Sequence, residues 1–181
     1  MFSNTPIRYC PSCGQPVDYR IPLDDNRVRA ICQCCQRIHY QNPKLVVGTL
    51  PVWNTQVLLC RRNIEPRKHL WTLPGGFMEL GETSEQGAER ETLEESGAQI
   101  ELLGLYTVHN VVKVGQVHLF YRARMLSQKL NPGPETSEAC LFEEPEIPWA
   151  ELAFDTVRCT LSHFFADRHK GHFPVHCADI F

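Results

Sequence analysis

GFMELGETSEQGAERETLEESGA, residues 76–98, is the stretch from which the rest of the chain can be read. Thr83 followed three residues later by Gln86 has the pattern of a capping box, and Gly97 suits the left-handed residue that ends a helix, so a helix is expected over residues 84–96. Glu91, Glu94 and Glu95 then stand at i, i+3 and i+4, which puts three carboxylates on one helical face. Like charges at these spacings cost about 0.2–0.5 kcal/mol per pair unless a cation neutralises them. An isolated triplet of this kind is ordinarily a solvated acidic face. Here it follows Arg90, lies fifteen residues beyond Gly76, and has Glu82 ahead of the helix and Gly97 just after it.

Working outward, residues 44–52 and 56–60 read as two strands joined by a turn at Trp53, Asn54 and Thr55, and Leu73 to Phe77 as a glycine-containing loop leading to the helix. Residues 100–109 and 117–125 form an expected hairpin turning near Val114 and Gly115. Asn131-Pro132-Gly133-Pro134 is a loop, residues 140–142 a short strand, and Asp155 the expected cap of a last helix that ends before Gly171. Val157, Leu161, Phe164 and Phe165 make one apolar stripe on that helix.

The chain changes character at Gln41, Asn42 and Pro43: before it lie the cysteine-rich, turn-rich residues 1–42, after it residues 43–181. Cys10-x2-Cys13 and Cys32-x2-Cys35, eighteen residues apart, have the spacing of a four-cysteine zinc site. Four soft sulfurs in a closed tetrahedron suit Zn²⁺ and leave no position open for water, so the ion is expected to be structural. Ordinary thiols and an iron site are the alternatives, and Cys34 is able to stand in for Cys35. Cys60, Cys140, Cys159 and Cys177 are single and read as small buried hydrophobes.

A chain of 181 residues accommodates one ordinary domain and a small satellite. A net charge of -3 supplies no general basic field, so binding to a nucleic-acid polymer is not favoured. MFSNTPIRYC has no apolar leader segment, and no run approaches the roughly 20 apolar residues that span a bilayer, so the expected address is cytosolic, without membrane contact.

The 76–98 stretch resembles the signature of the Nudix hydrolases, whose glycine and charged positions are met by Gly76, Glu82, Arg90, Glu91, Glu94, Glu95 and Gly97. Thr92, at a usually aliphatic position, and the small Ala98 are mild departures. The resemblance implies an α/β sandwich of the Nudix type, α/β/α layers around a mixed sheet, preceded by a small β-rich zinc ribbon. It implies that Glu91, Glu94 and Glu95 bind catalytic Mg²⁺ or Mn²⁺ together with the Gly76 carbonyl, and that Arg90 pairs with Glu82. A general base is expected on a late loop, with Glu138 the candidate and Glu135 its competitor; His109 and His118 are weaker candidates for substrate contact.

A ribbon before such a domain is familiar from NADH pyrophosphatases, but their SQPWPFP motif does not follow Gly97. Residues 21–26, 40–44 and 133–138 look more like the ribbon-bearing group that includes the plant plastid FAD pyrophosphatase. The implied substrate is therefore FAD or ADP-ribose, cut at the pyrophosphate to release AMP. Val112 and Lys113 stand where many ADP-ribose enzymes carry a proline, which tilts the reading towards FAD, and Trp71 or Tyr106 would stack on a flavin or adenine ring. NADH hydrolysis, removal of an NAD cap from RNA, and a nucleotide-sensing module that does not cut are the alternatives. A homodimer is expected by the same resemblance.

Overall fold

The computed structural model describes residues 6–181. It divides into two compact units, one ending at Pro43 and one comprising Lys44–Phe181. The first five residues of the expected ribbon lie outside the described residues.

In the smaller unit, β1 (Val17–Arg20), β2 (Arg29–Cys32) and β3 (Ile38–His39) form an antiparallel three-stranded sheet. Each cysteine pair sits on a tight turn closed the same way: the Gly14 N–H donates to the Cys10 carbonyl at 2.8 Å, and the Gln36 N–H to the Cys32 carbonyl at 3.1 Å. Gly14 (φ +72°) and Gln36 (φ +59°), each four residues past the first cysteine of its pair, are left-handed. That conformation is natural for glycine and costs about 1–2 kcal/mol for Gln36.

The larger unit is a mixed sheet in the order β10-β5-β4-β9-β8-β11. Its strands are β4 (Lys44–Trp53), β5 (Gln56–Arg62), β6 (Trp71–Thr72), β7 (Gly75–Phe77), β8 (Ile100–Val111), β9 (Gln116–Met125), β10 (Thr136–Phe142) and β11 (His176–Ile180). β6 pairs with β5 and β7 with β4; β4 runs parallel to β9, and β11 parallel to β8. Two helices, α1 (Ser84–Ser96) and α2 (Asp155–Lys170), cover opposite faces. Strand alternation sends Val47 and Tyr121 to the α1 side with Ala88, and Leu50 and Phe120 to the α2 side with Val157, Leu161, Phe164 and Phe165.

α1 has the expected capping box and ends on Gly97 at φ +71°. Other elements differ from expectation, each for a tertiary reason. β7 lies within residues read as a loop, because the backbones of Gly48 and Gly75 touch: a Cβ on Gly48 would stand 2.5 Å from the Pro74 carbonyl oxygen. β10 begins at Thr136 rather than at 140, with a register shift between Thr136 and Glu138 that hides the alternation. Asp155 is the first residue of α2 and not its cap; Phe154 precedes it with no side-chain bond, and the Asp155 charge faces the positive end of the helix dipole. β11, a short HCADI segment at the edge of the sheet, has no sequence signal of its own and is held by its register with β8 and by the His176–Asp167 contact to α2.

Candidate functional site

The C-terminal half of α1 faces the turn between β6 and β7. The Gly75 N–H donates to Glu95 Oε2 at 2.9 Å, and a Cβ on Gly76 would lie 2.5 Å from Glu91 Oε2, so both carboxylates pack directly on glycine backbone. The three carboxylates share a helical face but not an environment. Glu95 is buried, Glu91 nearly so, and Glu94 has 60% of its side chain exposed. Arg90 ties helix to loop. Its Nε and Nη2 bind the two Glu82 oxygens at 3.0 and 2.9 Å, Nη2 also reaches the Phe77 carbonyl at 3.2 Å, and Nη1 spans Glu91 (2.8 Å) and Glu94 (3.3 Å).

The charges divide accordingly. The Arg90 fork and the Glu79 N–H hold Glu82 down at about 2. Burial pushes Glu95 up to about 7, against the Gly75 N–H, with further upward pressure from Glu91 and Glu135. Burial also raises Glu91 in spite of Arg90, and Glu94 and Glu135 add to the effect. The glutamate end of α1 thus holds more negative charge than its one committed guanidinium neutralises.

The late-loop carboxylates are placed differently. Glu138 pairs with Arg61 at 3.6 Å and accepts from the Cys140 thiol. Glu135 bears electrostatically on both Glu91 and Glu95, as does Arg62 on Glu95 and Glu135. Residues 131–133 cross the end of α1, where the Asn131 N–H caps the Ser96 carbonyl at 2.8 Å.

In the smaller unit, the Sγ atoms of Cys10, Cys13, Cys32 and Cys35 all lie within 4.8 Å of one another. Cys10 to Cys35 is 3.7 Å, Cys13 to Cys32 is 3.4 Å and Cys13 to Cys35 is 3.7 Å, with every cysteine a free thiol. A sulfur tetrahedron around zinc at about 2.3 Å has edges of about 3.8 Å, so the quartet has the size of a zinc site. The Cys35 N–H donates to Cys32 Sγ and draws that thiol down, while the neighbouring sulfurs push Cys13 and Cys35 up, so the four sulfurs act on one another as a single cluster. Cys34 is exposed and outside the quartet.

Residues 42–161 match the NUDIX domain family, and residues 8–41 match the zinc-ribbon family described as Nudix N-terminal. The chain belongs to the Nudix hydrolase family. A Nudix hydrolase crystal structure from Nitrosomonas europaea is 45% identical, with a TM-score of 0.93 over 96% of this chain and 99% of that one. An ADP-ribose pyrophosphatase from Methanocaldococcus jannaschii is 32% identical over 64% of this chain and 70% of its own length. An NAD-capped RNA hydrolase from Vibrio atlanticus is 28% identical over 78% of this chain; the match spans 51% of that relative's length.

Within this Nudix unit several sequence-level candidates fall elsewhere. Trp71 and Tyr106 are 7% and 1% exposed, packed in the core beneath α2, and offer no ring face for stacking. His109 is fully buried and His118 pairs with Gln116 at 2.9 Å. Of the four single cysteines, Cys60 is buried, Cys140 and Cys159 are partly so, and Cys177 is exposed. Arg62, which acts on Glu95 and Glu135, and Asn63, which donates to the Glu135 carbonyl, carry no signal in the sequence because their roles depend on contacts across the chain; Gly133 is visible there only as part of the 131–134 loop. Among the described residues only the cysteine quartet gathers three or more candidate ligand atoms within 4.8 Å. The glutamates need no such cage to suit Mg²⁺, which retains several waters and is bound through one or two carboxylates plus substrate phosphate. No helix among the described residues is long and apolar enough to cross a membrane.

Proposed function

We propose that the Nudix unit hydrolyses the pyrophosphate bond of a nucleoside diphosphate-linked metabolite, ADP-ribose foremost, releasing AMP and ribose 5-phosphate. The observation that carries this reading is the packing of Glu91 and Glu95 on Gly76 and Gly75, which gathers hard oxygen donors where the glutamate end of α1 meets the β7 backbone. Glu91, Glu94, Glu95 and the Gly76 carbonyl would hold Mg²⁺ or Mn²⁺, which when bound neutralises phosphate oxygens and acidifies a water. Glu82 and Arg90 keep the β7 loop and α1 in one arrangement, while a bound ion would take Glu91 and Glu94 from the Arg90 Nη1 they now share. Glu135 acts as the general base: its carboxylate takes a proton from the attacking water as the new phosphorus–oxygen bond forms and the bond to the leaving phosphate breaks. We assign the role to Glu135 in preference to Glu138, whose carboxylate is engaged by Arg61.

Cys10, Cys13, Cys32 and Cys35 hold a structural Zn²⁺ in this reading, supported by their mutual distances. The ADP-ribose preference is supported by the Methanocaldococcus jannaschii relative and by the burial of Trp71 and Tyr106, which removes the stacking argument for FAD. The expected homodimer belongs to the same proposal and is checked by sedimentation equilibrium.

The test is incubation with ADP-ribose, FAD, NADH and NAD-capped RNA in Mg²⁺, followed by chromatography of the products. AMP with ribose 5-phosphate is the expected result. Preferential release of FMN from FAD, of reduced nicotinamide mononucleotide from NADH, or of nicotinamide mononucleotide from capped RNA, would move the substrate assignment. Binding without any product would replace hydrolysis by sensing.

A further inference from the structure

We infer that residues 131–135 form a rigid bracket that sets the reach of Glu135 to α1, with Gly133 the position that permits the contact and Asn63 its strut; the inference rests on Glu135 being the general base. Gly133 and Asn63 are in this view positioning residues, acting through Glu135.

The last carbonyls of a helix have no partners within it. Here the bracket supplies them: the Asn131 N–H donates to the Ser96 carbonyl at 2.8 Å and the Gly133 N–H reaches the Glu95 carbonyl at 3.4 Å. Contact is so close that a Cβ on Gly97 would stand 2.6 Å from the Asn131 nitrogen, and one on Gly133 would overlap the Glu94 carbonyl oxygen. Gly133 is outside the left-handed region, so space and not backbone conformation is what demands glycine there. Pro132 and Pro134 flank it and fix φ on either side, which leaves the bracket little freedom to step away from an added methyl.

From the other side Asn63, just past β5, grips the same segment twice. Its N–H donates to the Glu135 carbonyl at 2.8 Å and its Nδ2 to the Pro134 carbonyl at 3.1 Å. The Thr136 N–H closes the turn onto the Gly133 carbonyl at 3.1 Å. Glu135 is therefore held through its backbone carbonyl by Asn63 and stands two residues beyond Gly133, which touches the helix that carries Glu91, Glu94 and Glu95. A displacement of about 1 Å in such a group costs up to about 10²-fold in rate.

The experiment is a double-mutant cycle in kcat, with ADP-ribose in saturating Mg²⁺ or, if it is not turned over, the best-cleaved member of the substrate panel. Gly133→Ala is expected to lower kcat by about 10- to 100-fold and Asn63→Ala, which keeps the backbone N–H, by about 3- to 10-fold, each with KM within about threefold of the parent. Each is to be combined with Glu135→Gln. If both residues act through Glu135, the double variants are no slower than Glu135→Gln alone, whereas a merely structural role multiplies the losses. Multiplied losses, or a Gly133→Ala enzyme as fast as the parent, overturn the bracket. Should Gly133→Ala lack a cooperative melt, the Asn63→Ala cycle carries the same decision. Glu135→Gln that keeps both parental kcat and the acidic limb of the pH profile defeats the base assignment instead, and with it the catalytic meaning of the bracket.

Discussion

Glu94 and Glu95 are neighbours in sequence and opposites in environment. Glu95 is 8% exposed and holds the Gly75 N–H, whereas the Glu94 side chain is 60% exposed and among the described residues pairs only with the far end of Arg90 at 3.3 Å. Removing the charge of Glu94 therefore has little to disturb in the fold, and exposed substitutions of this kind usually stay within about 0.5 kcal/mol. Glu94→Gln is expected to keep the parental melting temperature while kcat falls by at least about 10²-fold, the loss typical of a group that stabilises transition-state charge. Steady-state kinetics beside a calorimetric melt check both halves; near-normal turnover would remove Glu94 from the metal-binding set. The common face of Glu91, Glu94 and Glu95 was legible from spacing alone, because helical geometry is local. Their unequal depth was not, since it is decided by the Gly75–Gly76 backbone some twenty residues away and by a strand pairing that no periodicity announces.

Elements show the same division. The limits of α1 could be read because capping box and stop are local signals, whereas β7 and β11 could not, being short strands defined by partners distant in the chain. The apolar stripe of α2 was legible too, but a second buried stripe of polar residues runs beside it. Thr160 meets Thr107 of β8 at 2.9 Å, and Asp167 accepts from the Tyr106 hydroxyl at 2.9 Å. Thr92, the departure from an aliphatic position on α1, belongs to the same pattern. It is fully buried, donates to the Ala88 carbonyl at 2.7 Å and meets the Thr49 hydroxyl of β4 at 2.6 Å. Thr92→Val keeps the shape but strands the Thr49 hydroxyl in the helix–sheet interface, at a cost of about 1–3 kcal/mol. Thr49→Val with Thr92→Val removes both partners and should recover most of that loss. Urea unfolding of the two single variants and the double decides it; a double variant as unstable as the sum of the singles would deny the pairing its role.

At the scale of the whole molecule the two units draw their stability from different sources. Among its described residues the smaller buries only Cys10, Pro22, Ala30, Ile31 and Cys32 of its apolar and cysteine side chains, too little to fold on hydrophobic burial, so about one zinc per chain is expected by elemental analysis, with its strands lost on strong chelation. Full amide protection of β1 and β2 without metal would contradict this. The larger unit has an ample core, and its weak point is a set of imidazoles beneath α2. Both ring nitrogens of His109 are buried without a hydrogen-bond partner among the described residues, and His118 lies opposite it on β9. Burial depresses both to about 4, and like-charge pressure adds to it: His163 and His176 act on His109, and His109 acts on His118. His163 stacks at 3.9 Å on His176, whose ring is bound to Asp167 at 2.6 Å. An unfolded histidine titrates near about 6.5, so between about pH 6.5 and 4 the unfolded chain binds protons that folded His109 and His118 refuse. Their contribution to stability is complete above about pH 6.5 and drains away as pH falls toward about 4, by at least about 1 kcal/mol between pH 7 and 5. His109→Leu should flatten this dependence in urea titrations over the same window. An unchanged slope in the variant would mean that the acid lability of the fold has its origin in other groups.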